Sequence, residues 1–246
     1  AAFVLLRSSL PADEKARLIS LTQHGSSLWL HLPKAALEDN VWMSPSTAHT
    51  ALRLRLGLPL GSNHVCTLCR HQNADGLGRH ALSCMRGGQK PIAHNRVRDA
   101  LHGLCTYALL AVRREAHPWG DGQRMDLTIQ NGAKEYLIDI ALILPTLEQH
   151  RAHATHSSAK PGGAATEYEL VKTKEYGAKV TASQQLVPMI FEVFGGLGDS
   201  AKPMLGRIAK AYSIRFGSRA GSAVFYSRLN VAVTEAVAFL ARTSGA

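Results

Sequence analysis

The sequence contains a two-residue turn signal, Asn131-Gly132, between two strand-like segments, and this signal limits how the middle of the chain can fold. Residues 124–130 alternate between polar and apolar side chains, and residues 135–144 are nearly all apolar after Tyr136. Asn-Gly between such segments is the strongest short-range signal for a tight β-hairpin. The sequence therefore predicts an antiparallel hairpin with a largely apolar second strand.

Each strand of this hairpin carries one aspartate, Asp126 and Asp139. If Asn131-Gly132 forms the loop, Asp126 pairs with Leu137, and Asp139 lies two residues further along on the same face. Diagonal neighbours on one face are about 7–8 Å apart, so one cation could lie between the two carboxylates. A lone carboxylate in an apolar strand is costly to bury. Two interpretations remain open here, a metal-binding pair and an aspartate partnered by Arg or Lys.

Helical and strand-like segments alternate along the rest of the chain, which predicts an α/β fold. Pro11 begins a helix, and a second helix ends at Gly57 and Pro59. The further predicted elements are a helix over 91–112, a loop over 149–165, a helix over 166–180, a strand over 186–193, and helices near 200–214 and 218–243.

The 246 residues fit one or two domains. We expect a helical linker over 1–62, a compact cysteine-containing module over 63–90 and the α/β domain with its C-terminal helices over 91–246. Apolar residues make up 46% of the chain, enough for a core, and no apolar run reaches the roughly 18–20 residues of a membrane span. We therefore expect neither a membrane nor a secreted protein, and the first residue, Ala, suggests part of a longer one.

The charge balance is strongly basic, with 28 Lys and Arg against 18 Asp and Glu, a formal net charge of +10. Such an excess favours a polyanionic partner, because each neutralised phosphate releases counterions. An acidic protein interface or an effect on solubility is the alternative.

Three of the four cysteines lie within nineteen residues of one another together with several histidines. The spacing C-x2-C-x10-H-x3-C is typical of a zinc site. The predicted ligands are Cys66, Cys69, His80 and Cys84, with His64 or His71 as alternatives to His80. Chance clustering of buried thiols is the competing interpretation.

A zinc ion with four protein ligands has no open position, so we expect a structural site and no hydrolysis at zinc. Such a module would present nearby arginines to phosphates. The predicted contacts are Arg70, Arg79 and Arg86.

Lys172 and Tyr176 are four residues apart, and therefore lie on one face of the helix predicted over 166–180. Taken alone, this spacing is typical of a solvated helix on which Lys extends over Tyr.

Taken together, these motifs resemble the C-terminal part of site-specific non-LTR retrotransposon proteins, in which a CCHC knuckle precedes a restriction-like endonuclease of the PD-(D/E)XK class. The resemblance covers roughly residues 40–200. The segments that carry it are 51–60, Cys66–Cys84, Gly87-Gly88, His94–Asp99, Arg113–Ala116, Arg124–Asp126, Leu137–Ala141 and the Lys172-x3-Tyr176 pair.

The resemblance implies roles for particular side chains. Asp126 and Asp139 correspond to the two acids of the family motif, and Lys172 to its lysine, which has moved from the strand to the following helix. Tyr176 completes the signature. Met125 stands where the family has Pro, and Leu142 occupies the in-strand lysine position of restriction enzymes. Upstream polar positions of the family fall at His94, Arg96 and Glu115, and Lys174 is a further predicted nucleic-acid contact.

These correspondences imply a restriction-endonuclease-like mixed sheet flanked by helices that nicks DNA with Mg²⁺. Asp126, Asp139 and the Ile140 carbonyl would hold the ion. The cut strand would prime reverse transcription by another part of a longer nuclear protein. One alternative is a catalytically inactive nucleic-acid scaffold, and another is a structural RNA-binding component of a ribonucleoprotein.

Overall fold

The structure, a computed structural model, describes residues 10–70, 74–155 and 160–243, with the backbone alone for 152–155. The strands are β1 (Ala111–Ala116), β2 (Met125–Asn131), β3 (Lys134–Ile143) and β4 (Gln184–Glu192). The helices are α1 (Ala12–Leu21), α2 (Lys34–Glu38), α3 (Pro45–Leu56), α4 (Arg79–Ser83), α5 (Gln89–Tyr107), α6 (Glu148–Thr155), α7 (Gly163–Tyr176), α8 (Ala201–Phe216) and α9 (Gly221–Arg242). Short 3₁₀ turns occupy Leu28–Leu30 and Gly177–Lys179.

The four strands form one mixed sheet in the order β1-β2-β3-β4. β2 is antiparallel to β1 and β3, whereas β4 is parallel to β3. Pro188 lies opposite Asp139 on β4. The amide of Glu192 and the carbonyl of Ile190 bond to the following turn, on the side of β4 away from β3. Alternate residues of a strand direct their backbone groups to the same side, so the nitrogen of Pro188 also faces this outer edge. There its missing N–H removes no hydrogen bond from the sheet. The predicted mixed α/β architecture is therefore confirmed.

The hairpin forms, but its register differs from the predicted one by two residues. Asn131 pairs with Lys134, so the two turn residues are Gly132 and Ala133. Gly132 has a φ of 58° and occupies the first turn position, as glycine does in one of the two favoured hairpin turns. Thr128, and not Asp126, therefore pairs with Leu137.

The helix predicted over 91–112 is too long, because α5 ends at Tyr107 and β1 follows. Leu109 has a positive φ of 58° in the connection. The chain thus reverses there, which a helical pattern of apolar residues does not reveal. β1 is an edge strand whose residues are exposed or half-buried, and it adds a fourth strand that the sequence pattern does not predict.

The loop predicted over 149–165 is also partly wrong. α6 covers its first half, and α7 begins at Gly163. Gly162 precedes α7 with a φ of 79°. A β-carbon there would lie 2.1 Å from the Leu197 carbonyl oxygen, so this close approach of two chain segments requires glycine.

The main hydrophobic core lies between one sheet face and helices α5, α8 and α9. Trp29, Val41 and Leu54 from the predicted linker belong to the same core. The other face of β3 and β4 packs against α7 through a smaller cluster that includes Ile143, Ala165 and Ile190. The sheet is therefore covered by helices on both faces.

α9 is the one described helix long and apolar enough to cross a membrane by length and composition. Its most apolar window has a mean hydropathy of 1.3, and 56% of that window is buried inside the protein. α9 packs against α5, α8 and α3. A core helix with such packing passes the same test, so the composition is weak evidence for a membrane span.

Candidate functional site

β2 and β3 stop pairing after Leu127 and Ile138, and the Asp126 side chain occupies the point where they separate. Asp126 Oδ2 accepts a 2.6 Å hydrogen bond from the Ile140 amide, in place of a backbone carbonyl of β2. Its other oxygen, Oδ1, lies 2.8 Å from His94 Nε2 on α5. The Asp126 carboxylate is thus held in one orientation by a strand and a helix.

Asp139 is buried in β3, with 8% of the residue exposed. Lys172 Nζ on α7 lies 3.3 Å from Asp139 Oδ2. Oδ2 is shielded from solvent and accepts no well-formed hydrogen bond. Burial raises the pKa of Asp139, Lys172 opposes that rise and the nearby charge of Asp126 adds to it, so that the pKa is about 6. The two aspartates are therefore close enough to repel each other electrostatically.

Lys172 is itself largely enclosed, with 17% of its side chain exposed. Burial alone would lower its pKa, but the charge of Asp139 raises the pKa above its ordinary value. The ammonium also lies 5.4 Å from the centre of the Tyr176 ring. Burial raises the pKa of Tyr176 to about 12, so the phenol is neutral. Tyr176 stacks on Trp119 from the β1–β2 connection at 5.8 Å.

The three predicted accessory residues lie in different surroundings. His94 contacts Asp126, as described above. Glu115 bonds to the buried Arg98 of α5 and has a positive φ of 50° at the edge of the sheet. The Arg96 guanidinium lies 4.1 Å from the centre of the Phe239 ring on α9. His94 therefore reaches the carboxylates, whereas Arg96 packs on the C-terminal helix.

The predicted zinc ligands converge. One donor atom each from Cys66, Cys69, His80 and Cys84 lies within 4.8 Å of the others. Bonds of about 2.0–2.3 Å to a single tetrahedral ion give ligand separations of this order. The four residues could therefore bind a metal such as zinc. His64 is outside this cluster, and His71 lies outside the described residues.

Local interactions shape this cluster into a knuckle. Asp75 accepts hydrogen bonds from the amides of Arg79 and His80 in the first turn of α4, and so holds the backbone of His80 in place. Burial raises the pKa of Cys84. Burial would also raise the pKa of Cys66, but hydrogen bonds from two backbone amides and His80 lower it to about 6. A thiolate is the form that binds metal.

The predicted phosphate contacts differ in how accessible they are. Arg70, Arg86 and Lys174 are exposed. Arg79 instead forms ion pairs with Asp13 at 2.5 Å and with Glu14 at 3.1 Å, which attach the knuckle to α1. Arg79 therefore serves the packing of the knuckle in this structure.

Two residues near the carboxylates, Glu175 and Trp119, are not among the site residues predicted from the sequence. Glu175 Oε2 lies 3.4 Å from Lys172 Nζ. The i, i+3 spacing of Lys172 and Glu175 is a local signal that could have suggested this contact. Nothing in the sequence around Trp119 indicates that it stacks on Tyr176.

No protein-family model matches this chain, and no curated protein matches it. The function proposed below is therefore inferred from the geometry of the chain's own residues.

Proposed function

We propose that this chain is a metal-dependent endonuclease that hydrolyses a phosphodiester of DNA, on a restriction-endonuclease-like sheet. One observation carries the proposal. The Asp126 carboxylate accepts a hydrogen bond from the amide of Ile140, the residue next to Asp139, and a lysine from the packed helix contacts Asp139. Carboxylates that can hold a metal ion, beside a fixed positive charge, suit such hydrolysis because both the metal and the charge stabilise the negative charge that develops on the phosphate.

The residues fit a hard divalent cation such as Mg²⁺. Asp126 and Asp139 offer carboxylate oxygens, the ligands that Mg²⁺ prefers. Asp139 Oδ2 is buried and lacks a well-formed hydrogen bond, so it has capacity for a further partner. Asp126, Asp139 and the Ile140 carbonyl would hold the ion. A bound Mg²⁺ stabilises negative charge on the phosphate and lowers the pKa of a bound water.

The protein's own side chains orient the reacting groups. His94 and the Ile140 amide hold Asp126 in position. Lys172 carries a positive charge and would neutralise a non-bridging phosphate oxygen or orient the attacking water. Tyr176, stacked on Trp119, restricts the space that the Lys172 side chain can occupy.

The metal-binding knuckle would add affinity for the nucleic acid and take no part in hydrolysis. Its exposed Arg70 and Arg86, together with Lys174 on α7, are available to phosphates. The net charge of +10 agrees with a polyanionic partner. In the retrotransposon setting that the sequence resembles, DNA nicked in the nucleus would supply the primer for reverse transcription elsewhere in a longer protein.

A specific observation favours the alternative of an inactive nucleic-acid scaffold. Each aspartate already has protein partners, His94 and the Ile140 amide for Asp126 and Lys172 for Asp139. Such a scaffold would bind nucleic acid and one zinc, and it would bind no further metal at the hairpin.

The test is nicking of supercoiled plasmid with Mg²⁺ by the full chain and by Asp126→Asn and Asp139→Asn. We expect relaxation by the unmodified chain and losses of at least about 100-fold in both variants, since each would remove an oxygen ligand. Plasmid binding without Mg²⁺ and zinc content should stay unchanged. Asp199→Asn is the control, because Asp199 pairs only with surface lysines in the described structure.

Equal nicking by the unmodified chain and both variants would overturn the proposal. Plasmid binding without nicking by the unmodified chain would favour the scaffold.

A further inference from the structure

The Lys172 ammonium is shared by two carboxylates. It lies 3.3 Å from Asp139 Oδ2 and 3.4 Å from Glu175 Oε2. The two acids come from different elements, because Asp139 belongs to β3 and Glu175 to the same helix as the lysine. The first contact depends on packing of the helix on the sheet, and the second only on helical spacing.

The two carboxylates also differ in exposure. The Asp139 side chain is 11% exposed, whereas that of Glu175 is 45% exposed. Glu175 is therefore at the rim of the site, with Asp139 below the ammonium. A divalent cation that took up the Asp139 charge would weaken the hold of Asp139 on Lys172. Glu175 would then be the carboxylate still within reach of the ammonium.

We propose that Glu175 is a positioning residue that holds the Lys172 ammonium over the carboxylate site when the charge of Asp139 is neutralised. This inference rests on the proposed function. Glu175 need not touch substrate or metal, since it acts through Lys172. Without it, Lys172 can rotate away from the site into solvent, and the orientation of the reacting groups is lost.

Glu175 should weaken DNA binding, although it supports turnover. A carboxylate at the rim repels the phosphates of DNA, although solvent and salt weaken that repulsion. Replacing Glu175 with Gln should therefore strengthen DNA binding while slowing turnover. A side chain with a purely structural role would not produce these two opposite changes.

A first experiment needs no catalytic activity. Asp139→Asn removes the charge of Asp139 as a bound cation would, and ¹⁵N NMR of the Lys172 ammonium reports whether that group stays ordered. We expect a slowly exchanging ammonium signal in Asp139→Asn and its loss in Asp139→Asn with Glu175→Gln. Equal signals in the two proteins would overturn the inference, even if the chain never nicks DNA.

A second experiment measures kinetics. In Glu175→Gln we expect kcat for nicking to fall about tenfold and the Kd for DNA without Mg²⁺ to fall about twofold. Glu175→Asp should restore part of kcat. The effect of Glu175→Gln on kcat should vanish in a Lys172→Met background, because Glu175 acts through the lysine.

The matched control for both experiments is Glu148→Gln, which removes an exposed acid at the start of α6. An undiminished kcat in Glu175→Gln, or an equal loss in the Lys172→Met background, would overturn the inference. Absence of nicking by the unmodified chain counts against the proposed function, and the ammonium signal then decides the role of Glu175.

Discussion

Replacing Lys172 with Met removes one charge from the site while keeping most of the side-chain length. The variant leaves Asp139, which is 8% exposed, without its ammonium partner. At the observed 3.3 Å separation, an effective dielectric constant of about 20 gives an attraction of about 5 kcal/mol. The remaining solvent access reduces this value, and opposite charges at such distances shift a pKa by about 1–3 units.

The pKa of Asp139 should therefore rise from about 6 to between about 7 and 9 in Lys172→Met. The pKa of this acid in the folded state lies above its unfolded value of 3.8. The contribution of protonated Asp139 to the free energy of unfolding is therefore complete below pH 3.8 and is lost as the pH rises through the pKa of Asp139 in the folded protein. A higher folded pKa makes that loss larger.

The expected result is a destabilisation that grows with pH. At pH 5 Asp139 is protonated in both proteins, and the variant should lose little on this account. Towards pH 8 and above, the free energy of unfolding of the variant should be lower by about 1–4 kcal/mol more, because a change of one pKa unit corresponds to about 1.36 kcal/mol. Urea unfolding at several pH values measures the free energy, and carbon-detected NMR of the Asp139 carboxyl measures the pKa.

Lys174→Met is the matched control, because Lys174 is an exposed lysine on the same helix. It should leave both the pKa of Asp139 and the pH dependence of stability unchanged. An unaltered pKa of Asp139 in Lys172→Met would contradict this prediction, since it would mean that the ammonium does not interact with the buried carboxylate.

Two further predictions concern the knuckle and the glycines. Cys84→Ser should lower the zinc content of the purified protein below one equivalent per chain and unfold the knuckle. Cys105→Ser, outside the cluster, should leave the zinc content unchanged. A colorimetric zinc assay and circular dichroism compare the two variants. Gly162→Ala should cost at least about 2 kcal/mol in urea unfolding, because its φ is 79° and the new methyl would meet the Leu197 carbonyl. Gly103→Ala, in open space on α5, should stabilise the protein by about 0.5–1 kcal/mol. A Gly162→Ala protein more stable than Gly103→Ala would contradict the close approach of Gly162 to Leu197.

Features that depend on near neighbours were predictable from the sequence. The convergence of Cys66, Cys69, His80 and Cys84, which could bind a metal, follows from their spacing, because all four lie within a short stretch of chain. The hairpin follows from its turn residues, although the choice of turn position by Gly132 shifted the register by two. The C-cap of α3 is Gly57 with a φ of 68°, as the Gly and Pro after that helix predicted.

Other features were hidden from the sequence because packing decides them. β1 lacks a buried face of its own and is a strand because β2 offers it hydrogen-bonding partners. Arg79 looked like a phosphate contact, but α1 packs close enough for Asp13 and Glu14 to pair with it. The residues next to β1 and Arg79 in the sequence do not indicate these partners.

The same distinction applies to the carboxylate site. The residue types and spacing of Asp126 and Asp139 follow from the sequence, since both acids belong to one hairpin. The meeting of Asp139 with Lys172 required α7 to pack across the sheet, and the exposure of Asp139 was set by that packing. Short-range order along a chain is encoded by neighbouring residues, whereas the burial and charge of a site depend on segments that only the folded structure brings together.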